Sequence, residues 1–262
     1  MRARVAGELE RITGGRVDLG SLHTVPFRLR VEIRDLTIHG REQASEAPYV
    51  QVARIIAELK IISLLEAEFG FDSVSIDNPR VHIVVYPDGS TNQPEPKRGH
   101  SYTRDPVEQL FSMSITHLNV RHGALSWNDQ QIPLDFSAQD VSAEMSYSFL
   151  HRKYNGNFVV GKTDTRLKGY RPIAWTAEMH FSAGENSADI TFFKANSGHS
   201  HIQFSGRVED VRQRKLNGDY EVKLDLAEAA AFFRERAMRH GSMQASGHGS
   251  WSPQDFNSKG KL

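Results

Sequence analysis

The stretch Val141-Ser-Ala-Glu-Met-Ser-Tyr-Ser-Phe149 decides the fold: Val141, Ala143, Met145, Tyr147 and Phe149 are apolar and every residue between them is polar. Side chains two apart along an extended chain point to the same side, so this beat makes a half-buried strand with one apolar face. Downstream it recurs at Ile173, Trp175, Ala177, Met179 and Phe181, at Ala188, Ile190 and Phe192, and at Ile202 and Phe204. It returns once more at Tyr220, Val222, Leu224 and Leu226. Turn signals such as Lys168-Gly169 and Asn217-Gly218 separate the runs, which is the pattern of a largely antiparallel meander.

Helices are few. Residues 2–12 form an N-terminal one, closed by Gly14 and Gly15. A short one starts at Asp105-Pro106 and runs to about Phe111. An amphipathic helix covers 226–240, with Asp225 as N-cap, Glu228 at the capping-box position and Gly241 at its end. Its Leu226, Ala230, Phe233 and Ala237 form one stripe that fits on a sheet. Residues 50–65 fit both periods: Val52, Ile55, Ile56 and Leu59 suit a helix, while Ala53, Ile55, Ala57, Leu59 and Ile61 suit a strand. Their β-branched content leans towards strand.

Upstream lies a weak repeat. Leu36-Thr-Ile38, Val74-Ser-Ile76 and Leu118-Asn-Val120 are alike, and Pro79-Arg-Val81-His-Ile83 matches Gly123-Ala-Leu125-Ser-Trp127 in spacing. Each unit suggests strand, tight turn, strand, and a repeated hairpin suggests an extended sheet that grows by addition. The organisation expected is a β region with its leading helix over 1–90, a Pro-rich loop over 91–106 within the longer stretch from Pro87 to Pro106, and a continuing β-meander over 107–262. Gly241 to Trp251 adds a strand and Phe256 begins another that stops at Leu262, so a longer protein is expected.

The 262 residues carry 32 Lys plus Arg and 32 Asp plus Glu, a formal net charge of zero without the basic excess of a phosphate-neutralising nucleic-acid binder. There are no cysteines, which excludes disulfides, thiolate catalysis and cysteine-held zinc. No apolar run approaches the roughly 18 residues that would span a bilayer, and the charged start is unlike a signal-peptide core.

Gly156-Asn-Phe-Val-Val-Gly161-Lys162-Thr163 spells a phosphate-loop motif, but its Phe-Val-Val interior prefers extended backbone and no helix follows. His199-Ser-His201 puts two imidazoles on one face of a strand with no third ligand at metal spacing, so a solvated face is favoured. Neither G-x-S-x-G nor H-E-x-x-H occurs, and the acidic pairs Glu66/Glu68 and Asp219/Glu221 suit exposed positions. Trp127, Trp175 and Trp251 could form a sugar platform, but as members of alternating apolar faces they suit a core better.

In its first hundred residues the chain resembles the N-terminal region of the bacterial AsmA/TamB family. The likeness rests on Thr13-Gly-Gly-Arg-Val-Asp-Leu19, Val31-Glu-Ile-Arg-Asp-Leu-Thr-Ile38-His-Gly40 and the segment from Pro48 to Leu65. It continues through Val74-Ser-Ile-Asp-Asn-Pro79-Arg-Val-His-Ile83 and Asp88-Gly-Ser-Thr-Asn92, in that order. The resemblance implies a long, curved, open β-groove on the periplasmic side of the bacterial envelope, anchored in the inner membrane by a helix this chain lacks. It also implies phospholipid acyl chains as the cargo, movement of lipid between membranes in support of outer-membrane homeostasis, and no enzyme activity or cofactor. TamB-like members add a scaffold role, with outer-membrane assembly proteins as partners. The expected groove residues are Ile55, Ala57, Leu59 and Ile61, then Val74, Ile76, Val81 and Ile83, with Leu118, Val120, Leu125 and Trp127. The competing reading of the same residues is a closed core. A sugar-binding module or enzyme on a β-sandwich is the third.

Overall fold

The computed structural model describes residues 2–43, 45–60, 70–95, 111, 115–210, 215–235 and 240–262. Thirteen strands lie side by side in sequence order in one sheet that does not close, so the chain is mainly β. It divides into two compact units, Met1–Ser142 and Ala143–Leu262.

The first unit opens with α1 (Arg2–Thr13), then β1 (Val17–Val25), a 3-10 turn at Pro26–Arg28, β2 (Arg30–Ile38), β3 (Val50–Leu59), β4 (Phe71–Val85), β5 (His117–Asp129) and the start of β6 (Leu134–Ser148). Gly14, at φ 79°, ends α1 in the left-handed conformation that only glycine adopts cheaply, and its N–H donates to the Glu10 carbonyl at 2.8 Å. Val5, Ala6 and Leu9 on one stripe of α1 pack against Val17, Leu19, Leu36 and Val52, the buried cluster of this unit.

Neighbouring strands pair antiparallel from β1 to β4, but β4 and β5 run parallel. The parallel step is possible because a long connection separates them; most of it lies outside the described residues, and of the helix expected from Asp105 to about Phe111 only Phe111, helical and buried, is described. Its described beginning is a turn in which Asp88 Oδ1 accepts from the Ser90 N–H and hydroxyl, at 2.9 and 2.6 Å. Asn92, fully buried, then clasps the β4 backbone: Oδ1 accepts from Val84 N–H at 2.9 Å and Nδ2 donates to His82 carbonyl at 2.8 Å.

The repeat is built differently from the hairpin expected. Val74-to-Ile83 and Leu118-to-Trp127 each lie within one continuous strand, and a single residue in the left-handed region replaces the tight turn. Those residues are Asp35 (φ 53°), Asn78 (φ 55°), His122 (φ 53°) and, in β6, Asp140 (φ 52°). Asp, Asn and His are the non-glycine types that tolerate this region best. The first three align in one row across the sheet, with Ala53 of β3 between Asp35 and Asn78. At the row two residues, rather than one, separate successive apolar positions, while the register stays constant because every strand shifts together.

The second unit holds the rest of β6, then β7 (Lys153–Leu167), β8 (Thr176–Ala183), β9 (Ala188–Ser197), β10 (Ser200–Asp210), β11 (Lys215–Asp225), α2 (Leu226–Phe233), β12 (Ser242–Trp251) and β13 (Phe256–Lys261). Its described strand pairs are antiparallel. Lys168-Gly169 does turn the chain, but Asn217-Gly218 lies inside β11. Gly218 stands opposite Gly206, and a Cβ on either would meet the tip of the Phe204 ring at 2.8 or 2.6 Å. The bare glycines let that ring lie across two strands, a packing role that sequence alone mistakes for a turn. A bulge between Ile190 and Phe193 likewise overturns the simple alternation: Phe193 faces Met179 and Phe204, and Phe192 pairs with His180 instead.

Asp225 caps α2 as expected, accepting from Glu228 N–H at 2.9 Å. Glu228 does not return the bond; its carboxylate accepts from the His199 N–H at 2.7 Å and the Ser200 hydroxyl at 2.7 Å, and Ser200 Oγ accepts from Asp225 N–H at 3.0 Å. Burial pushes the Glu228 carboxyl up, but these bonds outweigh it and hold it below its ordinary value. The helix is shorter than the 226–240 expected. It stops at Phe233 because Arg234, at φ 59°, takes a left-handed C-cap whose N–H donates to the Ala230 and Ala231 carbonyls.

Candidate functional site

The row of left-handed residues decides what the first unit presents. In β2 the apolar positions are Val31, Ile33, Leu36 and Ile38; in β3 they are Val50, Val52, Ile55, Ala57 and Leu59; in β4, Val74, Ile76, Val81 and Ile83. In a regular strand a step of three would turn the two halves to opposite sides. The left-handed row takes up the additional residue, and Ile33, Ile38, Val50, Ile55 and Ile76 all pack on the same buried cluster beneath α1.

Pairing then sets these side chains in rows across four strands. One row is Val31, Ala57, Val74 and Leu118; the next is Ile33, Ile55, Ile76 and Val120. Beyond the left-handed residues come Ile38, Val50, Val81 and Leu125, then Ile83 beside Trp127. The structure therefore brings together the expected residues Ile55, Ala57, Leu59, Val74, Ile76, Val81, Ile83, Leu118, Val120, Leu125 and Trp127 on one face. Ile61 lies outside the described residues. Val31, Ile33, Ile38 and Val50 belong to the same face and were missed. Their signal was present as the spacing i, i+2, i+5, i+7 in β2 and β3, which β4 and β5 keep with Pro79 and Gly123 at the third position.

Burial across this face is uneven. Under α1, Leu19, Leu36 and Val52 are 6, 5 and 6% exposed. Away from it every described candidate is only half-buried, and Trp127 is 37% exposed. α1 packs on β1, and Phe111, a helical residue of the β4–β5 connection, is buried as well. An apolar face whose residues stay half-exposed is incompletely buried by the chain that carries it.

Polar chemistry sits elsewhere. The opposite side of β2 and β3 carries Glu32, whose carboxylate accepts from Arg54 at 2.9 Å and Arg34 at 2.8 Å. Those two bonds, Arg54's first, hold its pKa down to about 2. In the second unit a depression of about 590 Å³ over β9–β12 is lined by Phe204 and Tyr220 together with Asp219, Glu221 and His248. His248 Nδ1 stands 3.0 Å from Asp219. No group of three potential metal ligands occurs among the described residues.

The remaining motifs become structural. Gly156 to Thr163 runs within β7, and Thr163 is 1% exposed, its hydroxyl donating to the Trp175 carbonyl at 2.7 Å and accepting from its N–H at 2.9 Å. His199 lies in the turn before β10, not on the strand with His201, because Glu228 holds its N–H and ring there. Trp127 is in the first unit; in the second, Trp175 precedes β8 and Trp251 pairs with Leu216 of β11. No helix among the described residues is long and apolar enough to cross a membrane. Neither a family model nor a curated protein matches the chain.

Proposed function

We propose that the chain is a non-enzymatic segment of an envelope protein whose apolar β-face holds phospholipid acyl chains. The observation that carries the reading is the half-exposure of the rows over β2–β5, where a closed core would bury the same residues. Four strands at about 4.8 Å spacing give a face roughly 14 Å across, wide enough to seat hydrocarbon side by side. Each methylene removed from water contributes about 0.8 kcal/mol, so a chain of some sixteen carbons gains on the order of 10 kcal/mol at full burial. Such contacts are non-directional, and lipid can move between equivalent rows with no reacting group and no cofactor.

The resemblance to AsmA/TamB proteins supplies the setting: the periplasmic side of a bacterial envelope, attachment to the inner membrane, and movement of phospholipid towards the outer membrane. A photo-crosslinking residue placed at Val120 should capture phospholipid in bacterial cells, and the same residue at Arg121 should not. Equal capture at both positions would refute the reading. The second reading is a scaffold for outer-membrane proteins, favoured by the edge strand β1, paired on one side only, to which a client strand could add.

A further inference from the structure

The second unit carries an aromatic and cationic knob unrelated to the rows of β2–β5. The turn between β7 and β8 meets the end of α2 there: Tyr170 stacks on Phe232 with centroids 5.0 Å apart and planes 21° apart, and meets Phe233 edge-on at 5.8 Å. Backbone bonds fix the junction, with Arg171 N–H donating to Phe232 carbonyl at 3.1 Å, and Arg234 Nη2 donates to Tyr170 carbonyl at 3.3 Å. Of the α2 side chains only Ala230 is buried, and the left-handed Arg234 ends the helix with Phe233 at its tip, 58% exposed.

The same turn and helix end carry Lys168, Arg171 and Arg234, all exposed and without an ion-pair partner among the described residues. Glu235 is the acid beside them, and Asp164 is already paired with Arg166 at 2.7 Å. The knob is thus net cationic with an apolar centre. A ring held rigid by its neighbours loses little freedom on contact, and cations on the same turn and helix end suit an anionic surface with hydrocarbon beneath.

We infer that this knob, formed by the β7–β8 turn and the C-terminal end of α2, docks on the surface of an anionic phospholipid bilayer. Phe233 enters the interfacial layer while Lys168, Arg171 and Arg234 meet phosphate. The choice of a bilayer over an acidic protein rests on the lipid reading above. The contact itself rests on the geometry of the knob.

Flotation of the full chain with vesicles of equal parts phosphatidylglycerol and phosphatidylcholine, against phosphatidylcholine alone, tests it. The protein should bind the anionic vesicles and lose that binding in high salt. The double variant K168E/R171E should bind at least about tenfold more weakly, since each cation near such a surface is worth about a fivefold change. F233S should also weaken binding, with the strand signal in circular dichroism unchanged in both variants. Failure of the wild-type chain to float with anionic vesicles, or equal binding by wild type and K168E/R171E, would overturn the docking proposal. Lipid co-purifying with the chain is measured in the same preparations. If it persists while vesicle binding is absent, the docking proposal falls and the groove stands; if it is absent while docking is seen, the groove falls instead.

Discussion

Replacing Ile76 by glutamate, and separately Val120, asks whether the face over β2–β5 is open to water. Ile76 stands between Ile55 and Val120 and is half-buried. Full burial of an isoleucine is worth about 1.5–3 kcal/mol, so losing half of it costs roughly 1–1.5 kcal/mol. A carboxylate at a half-exposed position keeps most of its hydration and adds little more. Ile76→Glu should therefore lower stability by about 1–2 kcal/mol, with Val120→Glu near the lower end. Leu36→Glu is the control, because Leu36 is 5% exposed beneath α1. There the carboxylate has no water and no partner, and the loss should exceed about 4 kcal/mol, a large share of a typical domain's stability. Urea unfolding followed at Trp127, with Trp175 and Trp251 replaced by phenylalanine, reports on the first unit. Equal losses for Ile76→Glu and Leu36→Glu would refute the reasoning, since they would mean the face is closed.

Further expectations concern the features that shape this face. Asn92→Ala removes two bonds from a fully buried side chain and leaves His82 carbonyl and Val84 N–H unpaired, so stability should fall by about 3 kcal/mol in the same urea experiment; a change below about 0.5 kcal/mol would show the clasp to be dispensable. At the left-handed row, His122→Gly should stay within about 1 kcal/mol of wild type while His122→Val loses about 1–2 kcal/mol more, because a β-branched residue fits φ 53° poorly. Equal stability of the two would mean that backbone conformation does not govern the row. Glu32 should titrate at about 2 by carbon-detected NMR. Its folded pKa lies below the ordinary value of about 4.3, so the stability it contributes is present above that value and lost as pH falls towards 2. Arg54→Met should raise the midpoint and narrow that window; an unmoved midpoint would rule out the Arg54 bond as the main cause.

Much of the architecture was legible in the sequence because a strand with one apolar side writes its period directly into the chain. Val141 to Tyr147, the capped start of α2 at Asp225 and the glycine stop at Gly14 each follow from local chemistry alone, whereas Phe149 falls in the turn after β6, 57% exposed. The ambiguity over residues 50–65 has a physical origin: across Ala53 the apolar step lengthens from two to three, from Val52 to Ile55, and a step of three imitates a helix. The same step in β4 and β5 made continuous strands look like hairpins with a tight turn at Asn78 or His122. Asn217-Gly218 looked like a turn because nothing local shows that Phe204, on another strand, occupies the space over Gly218. The bulge at Thr191 was equally hidden, since it is set by pairing with β8 and β10. Val31, Ile33, Ile38 and Val50 were missed because their membership of the face depends on the left-handed row, a property of four strands together.

The central claim is that the apolar face over β2–β5 holds lipid. The most direct measurement is mass spectrometry of lipid co-purifying with residues 1–262 made in bacteria and purified without detergent, for the wild-type chain and for Ile76→Glu. The account predicts phospholipid in stoichiometric amount with the wild type and its loss in the folded variant. A folded wild-type chain free of phospholipid would contradict it, and the strand-edge scaffold would take its place.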